Sequence, residues 1–411
     1  MHILEFKINY KPEVAAGIEL DANTAEDLAA YGHFIHLYIP KPSRGVSKEA
    51  AKMIPKKEIL QEGRLQIYRY GMYAEGKSLK QRLIRYCFCS IKQLWFGIRQ
   101  KEIDLIFAGS TPPFQGVICS WIKKIKKVPF VFNCQDIFPD SMVVAGLTTE
   151  GSMLYKIAEK ISDITFQAAD KIIVISEGME ETLLRKGVPK EKIEIVYNWV
   201  DENIIHPVKK EENKLIKELN IPTYEFTVVY AGNLGYAQGI DVILNSAELL
   251  KEDDRIGFII FGNGSMENDV KNQIYDRKLS KVHLYPLQSY ARVSEVYSIG
   301  DACIISCKQG TGAFAMPSKT WSIMGCGRSI LASFDKDTLL EDIVVNYSCG
   351  LFSEAGDSIA LAKNISYLSK YPKKAKIMGH NARTYIEQNL SRKTCTEKIC
   401  KIIDATGKDI K

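Results

Sequence analysis

Twelve short apolar runs punctuate the chain, and the stretches between them set the first expectation. HILEFKI, HFIHLYI, LQIYRY, IDLIFA, PFVFNC, KIIVIS and IEIVYN occupy the first half; FTVVYAG, IGFIIFG, KVHLYP, DACIIS and SILASF follow in the second. Each is rich in β-branched and aromatic residues and nearly continuous in apolar character, the pattern of a strand buried on both faces. Longer stretches of helical character separate them. This alternation predicts an α/β fold of doubly wound parallel sheets with helices on both faces. With 411 residues the chain exceeds what one core usually organises, so two such domains in tandem are expected. A charged stretch, KKEENKLIKELNIP, bounded by Pro207 and Pro222, separates the seventh run from the eighth. The expected domains are therefore 1–205 and 206–385, with 386–411 forming a terminal helix that packs back on the first.

Composition narrows the class. With 46% hydrophobic and 25% charged residues, the chain is neither disordered, collagenous nor a small disulfide scaffold. Its ten cysteines lie mostly in apolar runs and form no CxxC pair, which argues against a zinc knuckle or a disulfide framework and suits a reducing cytoplasm. MHILEFKINY reads as a strand, without the basic-then-apolar layout of a secretory leader, and no apolar run approaches the roughly 20 residues that span a bilayer. A cytoplasmic protein is expected.

Ligands of open parallel sheets bind beyond the carboxyl ends of the strands, and the cleft between tandem domains is the expected site. Four such ends carry candidate chemistry. After FTVVYAG, a turn with Gly232, Asn233, Gly235 and Gln238 lets backbone amides approach a phosphate. Its spacing is not GxGxxG, and no acid stands where a dinucleotide ribose needs one, which counts against NAD. After IGFIIFG, Gly262, Asn263 and Gly264 repeat the device; two tight structural turns are the alternative. After DACIIS, Pro317 suits the first helical position, Ser318 and Thr320 the cap region, and Lys319 falls in the first turn. A cation there costs roughly 0.3–1 kcal/mol unless an anion neutralises it, and a departing nucleoside diphosphate is such an anion. After PFVFNC come Gln135, Asp136 and Asp140; a carboxylate there can take a proton, although Asp140 or Ser141 equally suits a helix start. The Asp335-x-Asp337 pair reads as caps of the following helix rather than as a metal pair.

Charge is uneven. Between residues 77 and 127 eleven basic residues face two acids, a local excess of nine against +6 for the whole chain. Leu79, Leu83, Ile84, Cys87, Ile91, Leu94, Trp95 and Ile98 recur with helical spacing, and Arg85, Lys92 and Arg99 form a basic stripe on another face. With Lys123 and Lys124 of WIKKIKKVPF, the stripe suits anionic lipid; a core helix with a solvated basic face is the alternative. Tyr86, Phe88 and Trp95 read as the buried side, which disfavours a nucleic-acid groove.

Taken together, AGNLGYAQGIDVILNSAELL, FGNGS, MPSKTWSIMGCGRSILA, ADKIIVISEGMEETLLRKGVPKEKIEIVYNWVD and FNCQDIFPDS resemble bacterial members of glycosyltransferase family 4, from about Phe130 to Arg383. The likeness is to the branch with N-acetylfucosamine-type transferases of surface polysaccharide assembly. It implies a GT-B fold, with a nucleotide-sugar bound in the second domain and the acceptor entering from the first. The base would lie near Gly262, Asn263 and Gly264, the diphosphate near Gly17, Ser318 and Lys319. It implies transfer with retention, with neither metal nor other cofactor. The chain departs from the family at Asn233 and Gln238, where an arginine and a lysine are common, at Phe314 and Ser322, where two glutamates are common, and at Gln135, where a histidine is common. Ser322 then stands at the ribose position and Asp136 becomes the candidate base. The expected reaction moves a sugar from a UDP-linked or similar donor to a lipid-linked polyprenyl-diphosphate acceptor at the anionic inner membrane face. A nucleotide-sugar 2-epimerase of the same architecture and a non-catalytic homologue are the rival readings.

Overall fold

The computed structural model describes residues 1–13, 17–73, 79–144, 148–312 and 316–408. Phe314 and Lys77 lie outside that range, as do the side chains of Leu79, Lys80, Arg82 and Leu83. Two compact units divide the chain: Met1–Asn198 with the segment from Cys395 onward, and Trp199–Thr394.

The first unit is built on eight strands, β1 His2–Phe6, β2 Phe34–Pro40, β3 Lys57–Leu60, β4 Leu65–Tyr70, β5 Leu105–Gly109, β6 Phe130–Cys134, β7 Lys171–Val174 and β8 Ile193–Ile195. They lie in the order β3-β4-β2-β1-β5-β6-β7-β8, all parallel except β3 against β4. The central strands bury both faces, as the continuous apolar runs require: every residue of β5 and β6 is buried. Local chemistry starts the helices, with Ser152 and Ser176 each accepting from a backbone amide three residues on.

The second unit has six parallel strands, β9 Phe226–Asn233, β10 Ile256–Asn263, β11 Val282–Tyr285, β12 Ala302–Ser306, β13 Ser329–Phe334 and β14 Gly350–Glu354, in the order β11-β10-β9-β12-β13-β14. Its core gathers Phe226, Val228, Tyr230, Ile243, Phe258, Ile304 and Leu331. Strand β9 is central, so the glycine turn that follows it opens in the middle of the sheet.

The boundaries differ from the expected ones. Residues 199–205 fold with the second unit rather than the first, because Val200 bridges Ser391, Asp201 binds the Arg392 guanidinium at 3.0 Å and Ile205 is buried. The terminal segment joins the first unit from Cys395, nine residues later than expected at 386. There Asp404 sits 3.6 Å from the His33 ring, and Gly407 lies against Met1.

Candidate functional site

Strands β9 and β10 run in register to their last residues, with Gly232 opposite Gly262 and Asn233 opposite Asn263. Two chain turns leave side by side, and glycine makes the crossing possible. A β-carbon on Gly262 would lie 2.6 Å from the Leu234 side chain. Gly264, with φ 149°, has no room either: its β-carbon would stand 2.5 Å from Asn233 Oδ1 and 2.6 Å from the Leu234 carbonyl. Packing alone therefore demands glycine at 262 and 264. The Tyr230 hydroxyl donates to the Asn233 carbonyl at 2.9 Å and fixes the strand end.

Lys319 is brought to this turn from a distant part of the chain. Its helix, Lys319–Gly325, is only seven residues long, Ser318 makes no capping bond, and Pro317 lies outside it, two residues before its start. The expected helix-dipole conflict is thus small. A larger one replaces it: the Lys319 ammonium does not reach solvent but turns inward, 4.2 Å from the centre of the Tyr230 ring and 2.7 Å from where a β-carbon of Gly232 would sit. It is buried with no hydrogen-bond partner, and that burial pushes its pKa down to about 8. A buried ammonium facing one ring and a glycine turn is a site that favours an anion.

A second cation arrives that the sequence reading missed. Lys308 follows β12, and its ammonium stands 3.6 Å over the ring of Tyr236. Its amide donates to the Ala237 carbonyl, Ser306 Oγ donates to the Gln238 carbonyl at 2.7 Å, and the Thr311 hydroxyl contacts both Ala237 and Lys308 carbonyls. Gly239, at φ 60°, lets the two loops meet, since its β-carbon would lie 2.5 Å from the Cys307 carbonyl. Asp335 braces the same loop by accepting from the amides of Gly310 and Gly312 at 2.9 and 2.8 Å. This corrects the expectation of an Asp335/Asp337 cap: Thr338 caps the Leu339–Asn346 helix, and the Asp337 amide donates to Glu341. Lys319 and Lys308 thereby bracket the turn from Gly232 to Gln238, where the family pattern has its own basic residues. Ser322 is buried in the Lys319–Gly325 helix, with Gly235 packed on the Asn233 amide.

In the first unit, Gln135 and Asp136 follow β6. Their amides donate to Ser110 Oγ at 3.1 and 3.2 Å, and Gln135 Nε2 donates to Asn133 Oδ1 at 3.0 Å. Ser110, the residue after β5, was not singled out by the sequence. Asp136 is exposed as a residue, while partial desolvation raises its carboxyl above the usual aspartate range. Asp140 pairs with Lys186 at 3.0 Å and begins a short helix, which assigns it a structural place. Gly17, at φ 82°, caps the Ile18–Ala30 helix. Beneath that helix the buried Lys7 binds Asp21 at 2.5 Å and Glu5 at 3.2 Å. Among the described residues no group of three or more His, Cys, Asp or Glu side chains is placed to hold a metal.

The basic stripe is not assembled as expected. Arg85 is almost fully buried and donates to the Tyr73 carbonyl, and Lys123 is held by Asp170 at 2.7 Å. Lys92, Arg99 and Lys124 are exposed. No described helix is long and apolar enough to cross a membrane.

Comparison with known proteins gives these sites a context. The profile of Glycosyltransferase Family 4 matches residues 22–204, and that of Glycosyl transferases group 1 matches residues 211–385. WcaI of Escherichia coli K12, named for colanic acid biosynthesis and glycosyl transfer, is 24% identical over 406 residues, covering 95% of this chain and 97% of its own. WbjE of Pseudomonas aeruginosa, named a glycosyltransferase, is 24% identical over 329 residues, 78% of this chain and 81% of its own. The structure of HepE (Alr3699) of Anabaena in complex with UDP superposes with a TM-score of 0.68 at 16% identity, over 98% of this chain and 100% of that one. That likeness establishes the GT-B fold.

Proposed function

From a GT-B chain made of a glycosyltransferase family 4 domain and a group 1 domain, we propose a retaining glycosyltransferase. It moves a hexosyl or N-acetylhexosaminyl unit from a nucleoside-diphosphate sugar, UDP-linked, to a lipid-linked polyprenyl-diphosphate saccharide in bacterial surface polysaccharide assembly. The name of WcaI supports the pathway class, and the UDP in the HepE complex supports the nucleotide. The resemblance to N-acetylfucosamine-type transferases supports the sugar class.

One observation carries the donor reading: the buried, unpartnered ammonium of Lys319 beside Gly232. In the reaction the bond between the anomeric carbon and the β-phosphate oxygen breaks, and the acceptor oxygen bonds to that carbon. Negative charge builds on the departing phosphate, where Lys319 from one end of the turn and Lys308 from the other stabilise it. These lysines supply the charge neutralisation for which other enzymes use a metal. The acceptor proton passes to the donor phosphate itself on the front face, or to Asp136, whose carboxyl partial desolvation raises above the usual aspartate range. Gly232, Asn233 and Gly235 border the diphosphate with Ser318 and the side-chain amide of Gln238, whose backbone amide donates to the Gly235 carbonyl; Gly262, Asn263, Gly264 and Ser322 border the nucleoside, and Gln135 orients the acceptor. The protein works in the cytoplasm on the anionic inner membrane face, with Lys92, Arg99 and Lys124 toward the lipid.

The test incubates the protein with UDP- and GDP-sugars and a polyprenyl-diphosphate saccharide and measures nucleotide release. Release that requires the acceptor is expected. Release without acceptor would replace the transferase with a nucleotide-sugar 2-epimerase, and tight binding without release would leave a non-catalytic homologue.

A further inference from the structure

The Leu79–Arg99 helix departs from the sequence reading at three residues: Phe88 and Trp95, read as its buried side, are exposed, and Arg85 of the basic stripe is buried. Ile84, Phe88, Ile91, Trp95 and Ile98 follow one another at intervals of four and three along one face, and all five are exposed, Ile91 at 64% and Trp95 at 53%. The side packed on the unit carries Tyr86, Leu94 and Phe96 against the core together with buried Cys89, Arg85, Ser90 and Gln93, and Phe96 stacks on Tyr38 at 3.9 Å. The neighbouring Gln115–Lys126 helix extends the outward face. Gly97 meets Ile122 where the two helices touch, Lys126 Nζ donates to the Gln100 carbonyl at 2.8 Å, and Trp121 and Ile125 remain exposed. Single exposed apolar residues need no explanation, but seven large ones on adjoining helices form a patch of the kind that marks a docking surface.

Charge selects the occupant. Neither helix contains an acidic residue, so the exposed charges that these two helices carry are positive, and the neighbouring Asp170 is taken up by Lys123. Arg99 lies 4.1 Å over the Trp95 ring, Lys92 lies 5.7 Å from the Tyr70 ring, and Lys124 is exposed. A second copy of this face would oppose cation to cation. A bilayer offers apolar depth with phosphates at its rim, where tryptophan rings settle and lysine and arginine stems extend outward. We propose that Ile84, Phe88, Ile91, Trp95, Ile98, Trp121 and Ile125 insert into the headgroup–acyl boundary of an anionic membrane, with Lys92, Arg99 and Lys124 at the phosphates. The inference rests on the reading of a lipid-linked acceptor and adds penetration to charge attraction.

Flotation with phosphatidylcholine vesicles containing phosphatidylglycerol tests it. The unmodified chain should stay bound at about 0.5 M NaCl, where surface charge attraction is screened within a few ångströms. Ile91→Glu with Ile98→Glu should weaken partition roughly tenfold or more, while UDP affinity and the circular dichroism spectrum stay unchanged. Brominated acyl chains should quench the unmodified chain, and Trp95→Phe with Trp121→Phe should lose that quenching but keep binding. Binding that vanishes in salt and ignores the glutamates would overturn insertion. So would a dimer that those glutamates abolish in a chain that never binds vesicles. Acceptor-dependent transfer without vesicle partition removes this face alone. Vesicle insertion without any preference for a vesicle-borne acceptor removes the lipid-linked acceptor and keeps the face.

Discussion

A single ammonium dominates the chemistry at the residue scale. Lys319 was conspicuous in the sequence as a cation at a helix start, yet the physical cost proved to be desolvation against Tyr230 rather than the dipole of a seven-residue helix. Its pKa near 8 in the free protein gives a pH prediction with a definite sign. A bound diphosphate restores the charged form and raises that pKa, so binding takes up a proton above pH 8. UDP affinity measured by calorimetry should be level below pH 8 and fall by about tenfold per unit from there toward the ordinary lysine value near 10. Lys319→Gln should remove this slope and weaken binding about 10- to 100-fold, the worth of one charge-assisted contact; an unchanged affinity would take Lys319 out of the site. Lys308 was invisible beforehand because nothing in SCKQG tells that this loop folds onto Ala237 and Tyr236.

At the element scale, apolar periodicity located helices and strands but left open which way one helix faces. A pattern at helical spacing fixes the existence of a face; the neighbours decide whether it points in or out. In the Leu79–Arg99 helix Tyr86, Leu94 and Phe96 pack on the core beside the buried Arg85 and Gln93, while Ile91, Trp95 and Ile98 face outward. Two strands escaped the sequence reading, β3 and β14, and both are sheet edges. These two bury less than the central strands and carry no continuous apolar run, as the mostly exposed KEIL of β3 illustrates. Contact between helices depends on glycines whose role the sequence does not announce. A β-carbon on Gly116 would lie 2.1 Å from Thr165 Cγ2, which is backed by the packed Met153–Ala168 helix. Gly116→Val should therefore cost about 1–3 kcal/mol in urea denaturation, the usual range for overpacking.

For the whole molecule, thiol chemistry supplies a direct count. All ten cysteines are free, nine are buried and Cys87 is exposed, and burial raises thiols such as Cys307 and Cys349 to about 11. Ellman's reagent should find one prompt thiol in the native chain and ten in denaturant; fewer in denaturant would reveal a disulfide. The sequence by itself determined the alternation of strands and helices, the parallel sheets and the glycine turns at their ends, because burial on both faces and tight strand exits each impose local residue types. It also identified Lys319 as a residue out of place. Tertiary structure alone decided that Lys319 turns inward, that Lys308 closes the other end of its turn, that Asp335 braces a loop instead of capping a helix, and that Arg85 is buried while Trp95 is exposed. Each of these is a matter of which distant segment lies next to which side chain, and a linear pattern carries the chemistry of a residue without its neighbours.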